Sequence, residues 1–176
     1  SSPDGELEIC SDATFPNETD VERHGSKVYA QKPLGSGIHM FARAAISANV
    51  NVINARMTST THSEQYETTQ NMYIGQWDRP LLGFMGCPQT MPTKVYGDNS
   101  PNETMSNGGS IGQSRHIAAR IKWQQEQVEA KEFAFDRVND ANNPADCIGK
   151  WVPPKKKRQS TSFTFNQRNA VRPLYL

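Results

Sequence analysis

Apolar and polar residues alternate with period two over 7–12 (LEICSD), which sets Leu7, Ile9 and Ser11 on one face and Glu8, Cys10 and Asp12 on the other. That pattern predicts a strand ending on an aspartate. A connection rich in Pro, Asn and Asp follows over 16–32, and 37–46 and 49–57 then read as two more strands, the second alternating Val50 and Val52 with Asn49 and Asn51. Three consecutive strands predict an antiparallel meander. From Thr61 the spacing changes, because Tyr66, Tyr73, Trp77, Leu81 and Phe84 recur at intervals of three, four and seven. This predicts a helix over 61–85 with Thr60 or Thr61 as N-cap, Pro80 as the point of a kink and Gly86 as the stop. A short strand over 93–98 (TKVYGD) again ends on an aspartate, and Asn99-Ser100-Pro101 opens a small helix closed by Gly108 and Gly109. A second long helix is expected over 114–130, with Ile117, Ile121 and Val128 on one side, then a strand over 133–138 and a last short helix starting at Asn143-Pro144 and carrying Asp146. Trp77 and Trp123 read as core residues.

Three strands, a helix, a strand, helices, a strand and a helix fit an α/β mixed sheet flanked by helices, with its site at the strand ends. The 176 residues suit one domain, over 7–152, between a tail at 1–6 and a basic tail at 153–176. The mean hydropathy of −0.72 implies a modest core. A net charge of +1 excludes a bulk-basic nucleic-acid binder. Local clustering takes its place: Arg115, His116, Arg120 and Lys122 gather late in the chain, as do Lys155, Lys156, Lys157 and Arg158, whereas 12–22 is acidic. Cys10, Cys87 and Cys147 have no zinc spacing and cannot all pair, which suits a reduced, intracellular protein. The two Asn-x-Thr triplets at Asn17 and Asn102 are discounted because no apolar leader is present. No apolar run approaches the ~20 residues that span a bilayer. The first residues read as the cut end of a longer chain.

Four motifs lie on these elements. They are Ser11-Asp12-Ala13 with Phe15 close behind, then Thr58-Ser59-Thr60-Thr61-His62-Ser63-Glu64, then Val95-Tyr96-Gly97-Asp98-Asn99. The longest runs from Ser114-Arg115-His116-Ile117 through Arg120 and Glu126-Gln127-Val128-Glu129 to Val138, Asn143-Pro144-Ala145-Asp146 and Lys150. In this order and spacing they resemble the ribonuclease H domain of copia-type (Pseudoviridae) LTR retrotransposon Pol polyproteins, whose patterns are SDA, SSTEAE, a YCDN-like strand end and RTKHI…R…EQVE…N.AD..TK. The resemblance covers about residues 7 to 152. The family's first glutamate of SSTEAE is here His62, a lysine-rich turn ahead of that motif is Asn49–Asn54, and the threonine of TK is Gly149.

The resemblance implies a ribonuclease H-like fold, a five-stranded mixed sheet with strands 1–3 antiparallel and strands 4 and 5 parallel. It also implies Asp12, Glu64, Asp98 and Asp146 as catalytic carboxylates that hold two Mg²⁺ ions, with Mn²⁺ as substitute. Asp12 would bridge, Glu64 and Asp98 would serve one metal and Asp146 the other. Hard oxygen donors suit Mg²⁺, and two such ions can activate water and stabilise the leaving oxygen of a phosphodiester. Crowded carboxylates without metal should leave at least one with a raised pKa. The expected substrate is the RNA strand of an RNA–DNA hybrid, with Asn99, Ser100, Arg115, His116, Arg120 and Asn143 as contacts, and the expected partner is the polymerase domain of the same polyprotein. Lys155–Arg158 reads either as a nuclear-import signal or as the family's basic tail, so the expected location is the cytoplasm, in a virus-like particle, with nuclear entry as the alternative. The competing functional readings are an inactive domain of the same fold used for tethering or partner binding, and an integrase-type core.

Overall fold

Burial on both faces makes β1 (Leu7–Thr14) the centre of the structure: seven of its eight residues are buried. The computed structural model describes residues 5–16, 21–24, 27–30, 32–55, 57–97, 107–108, 117–138 and 143–149. On one side of β1 runs the antiparallel strand β4 (Leu34–Phe41), which pairs Asp12 with Ser36 and Ile9 with His39. β5 (Ala44–Val52) pairs antiparallel with β4 in turn. On the other side β6 (Thr93–Gly97) pairs parallel with β1, Cys10 opposite Tyr96, and β7 (Phe133–Arg137) pairs parallel with β6. The sheet is therefore five-stranded and mixed, in the order β5-β4-β1-β6-β7, as expected.

The boundaries differ where local chemistry gave no signal. The strands expected over 37–46 and 49–57 are shifted toward the N-terminus, because the chain turns at Ala42 and Arg43, with φ of 50° and 63°. Two left-handed residues in succession make the turn that suits a twisted hairpin, a place where Asn-Gly is the usual marker. Alanine and arginine conceal it. The strand expected to stop at Asp12 continues to Thr14. The segment read as a connection over 16–32 contains a separate two-stranded hairpin, β2 (Val21–His24) and β3 (Lys27–Ala30).

α1 (Thr60–Phe84) is capped by Ser59, one residue before the expected position, whose side chain accepts from the His62 N–H at 3.2 Å. It packs on one face of the sheet with α2 (Ala118–Glu129) beside it, enclosing a core of Ile9, Met72, Val95 and Phe133 with Trp123 and Phe135 against it. The opposite face carries Cys10, Ile38, Met40, Tyr96, Val138 and Ala145, closed by the short α3 (Asp146–Gly149). The small helix expected after Pro101 and the first residues of the helix expected from 114 lie outside the described residues. No described helix is long and apolar enough to cross a membrane.

The largest departure is the orientation of α1. Its inward side is mostly polar, with Ser63, Glu67, Thr68 and Asn71 buried among Met72, Gly75 and Leu82, and Thr69 buried toward α2. Trp77, expected in the core, is instead 79% exposed. The physical reason is a network that pairs the inner side-chain donors. Asn71 Nδ2 donates to Ser11 Oγ (3.2 Å) and to Glu67 Oε1 (3.1 Å), Thr68 Oγ1 donates to Ser11 Oγ (3.4 Å), and Gln124 Nε2 of α2 donates to Thr69 Oγ1 (2.9 Å). Buried polar groups paired in this way cost little.

Close approach makes this possible. A β-carbon on Gly37 would collide with Asn71 Oδ1 and Asn49 Oδ1, and one on Gly75 would lie 2.6 Å from Ile9 Cδ1. Gly37→Ala should therefore lower the unfolding free energy by about 1–3 kcal/mol, as overpacking does. Urea titration monitored by circular dichroism would show this as a lower midpoint at unchanged slope; an unchanged midpoint would mean that α1 does not sit this close to β4.

Candidate active site

The last turn of β1 and the two segments that touch it define the site. Asp12 is 4% exposed on the face opposite α1. Its carbonyl oxygen accepts from Ser36 Oγ (3.4 Å), and the same hydroxyl donates to the carbonyl of Ala145 (2.9 Å). Asn143 Nδ2 donates to the carbonyl of Ser11 (3.0 Å), while its Oδ1 accepts from the Ala145 N–H (3.1 Å). Ser36 and Asn143 thus pin the start of α3 to the strand beside Asp12, and Asp146, 1% exposed, is the next residue. Gly149 completes the contact, since a β-carbon there would lie 2.5 Å from Ser36 Oγ.

Glu64 is half-buried in the first turns of α1. Thr68 and Asn71 follow it at four and seven residues, so all three share the helix face that meets Ser11. Glu64 therefore stands one turn beyond the Ser11 contacts, toward the Asp12 end of β1. Gln65 belongs to the neighbouring row: Thr69 bonds back to its carbonyl and faces α2 rather than β1. His62 is buried, with Nδ1 3.4 Å from Thr58 Oγ1. Asp98 follows Gly97, the last residue of β6, and lies outside the described residues with Asn99, Ser100, Arg115 and His116. Among the described residues no three His, Cys, Asp or Glu side chains gather closely enough to hold a metal.

Two expected contacts take a different form. Asn143 was expected to face nucleic acid, but it is 1% exposed with both ends of its amide bonded inside the fold, so it anchors α3. Arg120 is half-buried with its guanidinium 4.5 Å above the ring of Tyr66, which joins α2 to α1.

Glu67 is a carboxylate that sequence reading missed. It is 1% exposed and accepts from Asn71 Nδ2 (3.1 Å) and Asn49 Nδ2 (3.3 Å). Burial pushes its pKa up to about 7, the two amide hydrogen bonds pull it down, and the charge of Asp12 adds to the rise. A glutamate within a Thr- and Gln-rich helix has no pattern that distinguishes a buried acid from a solvated one. Burial also raises the Cys10 thiol far above its usual range, with the Glu8 charge assisting, so that thiol is unreactive.

With this geometry in hand, the architecture is that of the ribonuclease H fold. The solved structures it resembles include the RNase H1 of Halobacterium salinarum NRC-1 (TM-score 0.57, 10% identity, 82% of this chain and 93% of that one). They also include the N-terminal RNase H domain of a Mycobacterium tuberculosis protein (0.57, 12%, 90% and 97%) and LC11-RNase H1, solved in complex with an RNA/DNA hybrid (0.52, 10%, 78% and 88%). In sequence the chain is similar to the retrovirus-related Pol polyprotein from transposon TNT 1-94 of Nicotiana tabacum, with 24% identity over 146 residues and 83% of the chain. It spans 11% of that polyprotein's length. No protein-family model matches it.

Proposed function

We propose that the chain is a metal-dependent endoribonuclease that degrades the RNA strand of RNA–DNA hybrids in retrotransposon reverse transcription. The observation that carries this reading is the docking of α3 on β1, which brings two nearly inaccessible carboxylates, Asp12 and Asp146, to one end of a ribonuclease H sheet. Glu64 approaches the same end from α1, and Asp98 follows β6 in sequence. Buried carboxylates need a cation or strong hydrogen bonds to offset desolvation, and an all-oxygen donor set suits Mg²⁺, with Mn²⁺ as substitute. Asp12, Glu64, Asp98 and Asp146 would hold two such ions. Bound there, the ions supply an activated water and charge neutralisation at the leaving oxygen.

The chain's own contribution is positioning. Ser36 and Asn143 fix the spacing of Asp146 from Asp12, and the α1 network fixes the height of Glu64 along β1. Arg115, His116, Asn99 and Ser100 are the proposed duplex contacts, and the polymerase domain of the same polyprotein is the proposed partner. Hybrid recognition through duplex shape and the 2′-hydroxyl requires no base reading.

The test is cleavage of an end-labelled RNA–DNA hybrid in Mg²⁺ or Mn²⁺, beside duplex RNA, duplex DNA and the Asp98→Asn variant. Cleavage confined to the RNA strand of the hybrid and lost in the variant is the expected result. No cleavage in either metal at enzyme excess, or cleavage that survives the substitution, would overturn the catalytic reading in favour of a tethering role.

A further inference from the structure

The outer face of α1 carries a continuous apolar ridge. Tyr73, Trp77, Leu81, Phe84 and Met85 are 41, 79, 57, 91 and 68% exposed. At about 100° per residue, Tyr73, Trp77, Leu81 and Phe84 fall within a strip about 80° wide, and Pro80 lies about 20° beyond its edge. α2 covers only its near end, where Trp123 packs on Tyr73 with ring centroids 4.4 Å apart and Gln76 donates to Gln127 at 2.9 Å.

The ridge is also neutral. The two charged residues that follow Trp77 are engaged elsewhere in the chain. Asp78 pairs with the buried His39 at 2.6 Å, and Arg79 pairs with Glu132 at 2.9 Å while donating to Thr93 Oγ1 and the carbonyls of Met91 and Gln89. A nucleic-acid surface requires cations to meet phosphate, and a membrane-surface helix flanks its apolar face with lysine or arginine. Among the described residues this ridge has neither, so its chemistry fits protein.

We infer that the ridge pairs with the same ridge on a second copy of the chain, two α1 helices lying antiparallel about a two-fold axis at Trp77. The symmetry suits the residues. An axis at Trp77 sets Tyr73 of each helix against Leu81 of the other, at plus and minus four residues, and Phe84 against the uncharged Gln70, at plus and minus seven, so the contact traps no unpaired charge. The area is sufficient. Large aromatic side chains carry on the order of 150–250 Å² each, so the ridge offers about 500 Å² of apolar surface, near the upper limit that monomers leave open. With its polar rim it approaches the roughly 800 Å² per partner of a standard interface. Trp77 lies about 20 Å along the helix from Glu64, so pairing leaves both carboxylate ends open. The inference is independent of whether the site cleaves RNA.

Sedimentation velocity on the full 176-residue chain, from about 1 to about 100 µM so as to bracket a weak to moderate dissociation constant, tests it. Wild type is expected to shift from one copy to two across that range, with the tryptophan emission moving to shorter wavelength. Trp77→Glu and Phe84→Glu should each weaken the dimer at least about 100-fold, whereas Lys122→Glu on the exposed side of α2 should leave it unchanged. Circular dichroism checks that the variants stay folded. A chain that remains single at every concentration overturns the inference and assigns the ridge to a different protein surface; a dimer insensitive to both ridge variants overturns it as well.

Discussion

Asp12→Asn is expected to lower hybrid cleavage by about 10³-fold or more while leaving thermal stability equal to or above that of wild type. Asparagine keeps the volume and polarity of a side chain that is 4% exposed. The contacts that hold Asp146 in place run through the backbone of β1, from Ser36 Oγ to the carbonyl of Asp12 and from Asn143 to the carbonyl of Ser11, and the substitution removes neither. What it removes is a negative charge that also raises the pKa of Glu67. Activity and stability should therefore move apart, and melting curves run beside the cleavage assay would show it. A variant that loses both together would mean that Asp12 serves the fold rather than the chemistry. Because carboxylates that hold one cluster act as a unit, adding Asp146→Asn should cost little more.

Glu67→Gln should stabilise the chain at pH 8 by on the order of 2–3 kcal/mol, and should flatten the pH dependence of stability. The sign follows from the direction of the shift. The pKa of Glu67 rises from 4.5 to about 7 in the fold. Below 4.5 the group is protonated both folded and unfolded, so its contribution is neutral there. Between 4.5 and about 7 the unfolded chain ionises and the folded chain holds its proton, so stability falls as pH rises. Above about 7 the loss is complete. Glutamine retains an acceptor for Asn71 and Asn49 and carries no charge at any pH. Denaturant midpoints for both proteins at pH 5, 6, 7 and 8, a range set by the two pKa values, should converge at the acid end and diverge at the alkaline end. Parallel curves would show that Glu67 does not titrate in this window.

The strand–helix order was readable because each core element carries its own periodicity. β1 alternates, and the helical stretch from Thr60 runs long and ends on glycine. The mixed five-stranded sheet came with the family resemblance, and the strand order across it, which sets β6 beside β1, carries no local signal. The turn at Ala42–Arg43 was not legible, since neither residue advertises the left-handed conformation it adopts. The hairpin at 21–30 was missed because four-residue strands are too short to set a period. The error over α1 is more instructive. Hydrophobicity alone puts Trp77 in the core, although the inner face is occupied by Ser63, Thr68, Asn71 and Gly75. Sequence periodicity located the helix and left open which stripe faced inward; that choice depends on hydrogen bonds between residues about 60 positions apart, such as Asn71 to Ser11. The same distance hid Glu67, whose neighbours come from α1, β4 and β5.

A greasy inner face would let α1 slide along the sheet by a turn, about 5.4 Å, at small cost, because one aliphatic contact is much like the next. Asn71, Thr68 and Glu67 meet specific oxygens, amides and glycine gaps on β1, β4 and β5, and a slipped helix would leave each of them unsatisfied. The polar lining thus acts as a vernier: it fixes the longitudinal setting of the helix, and with it the position of Glu64, against the strand that carries Asp12.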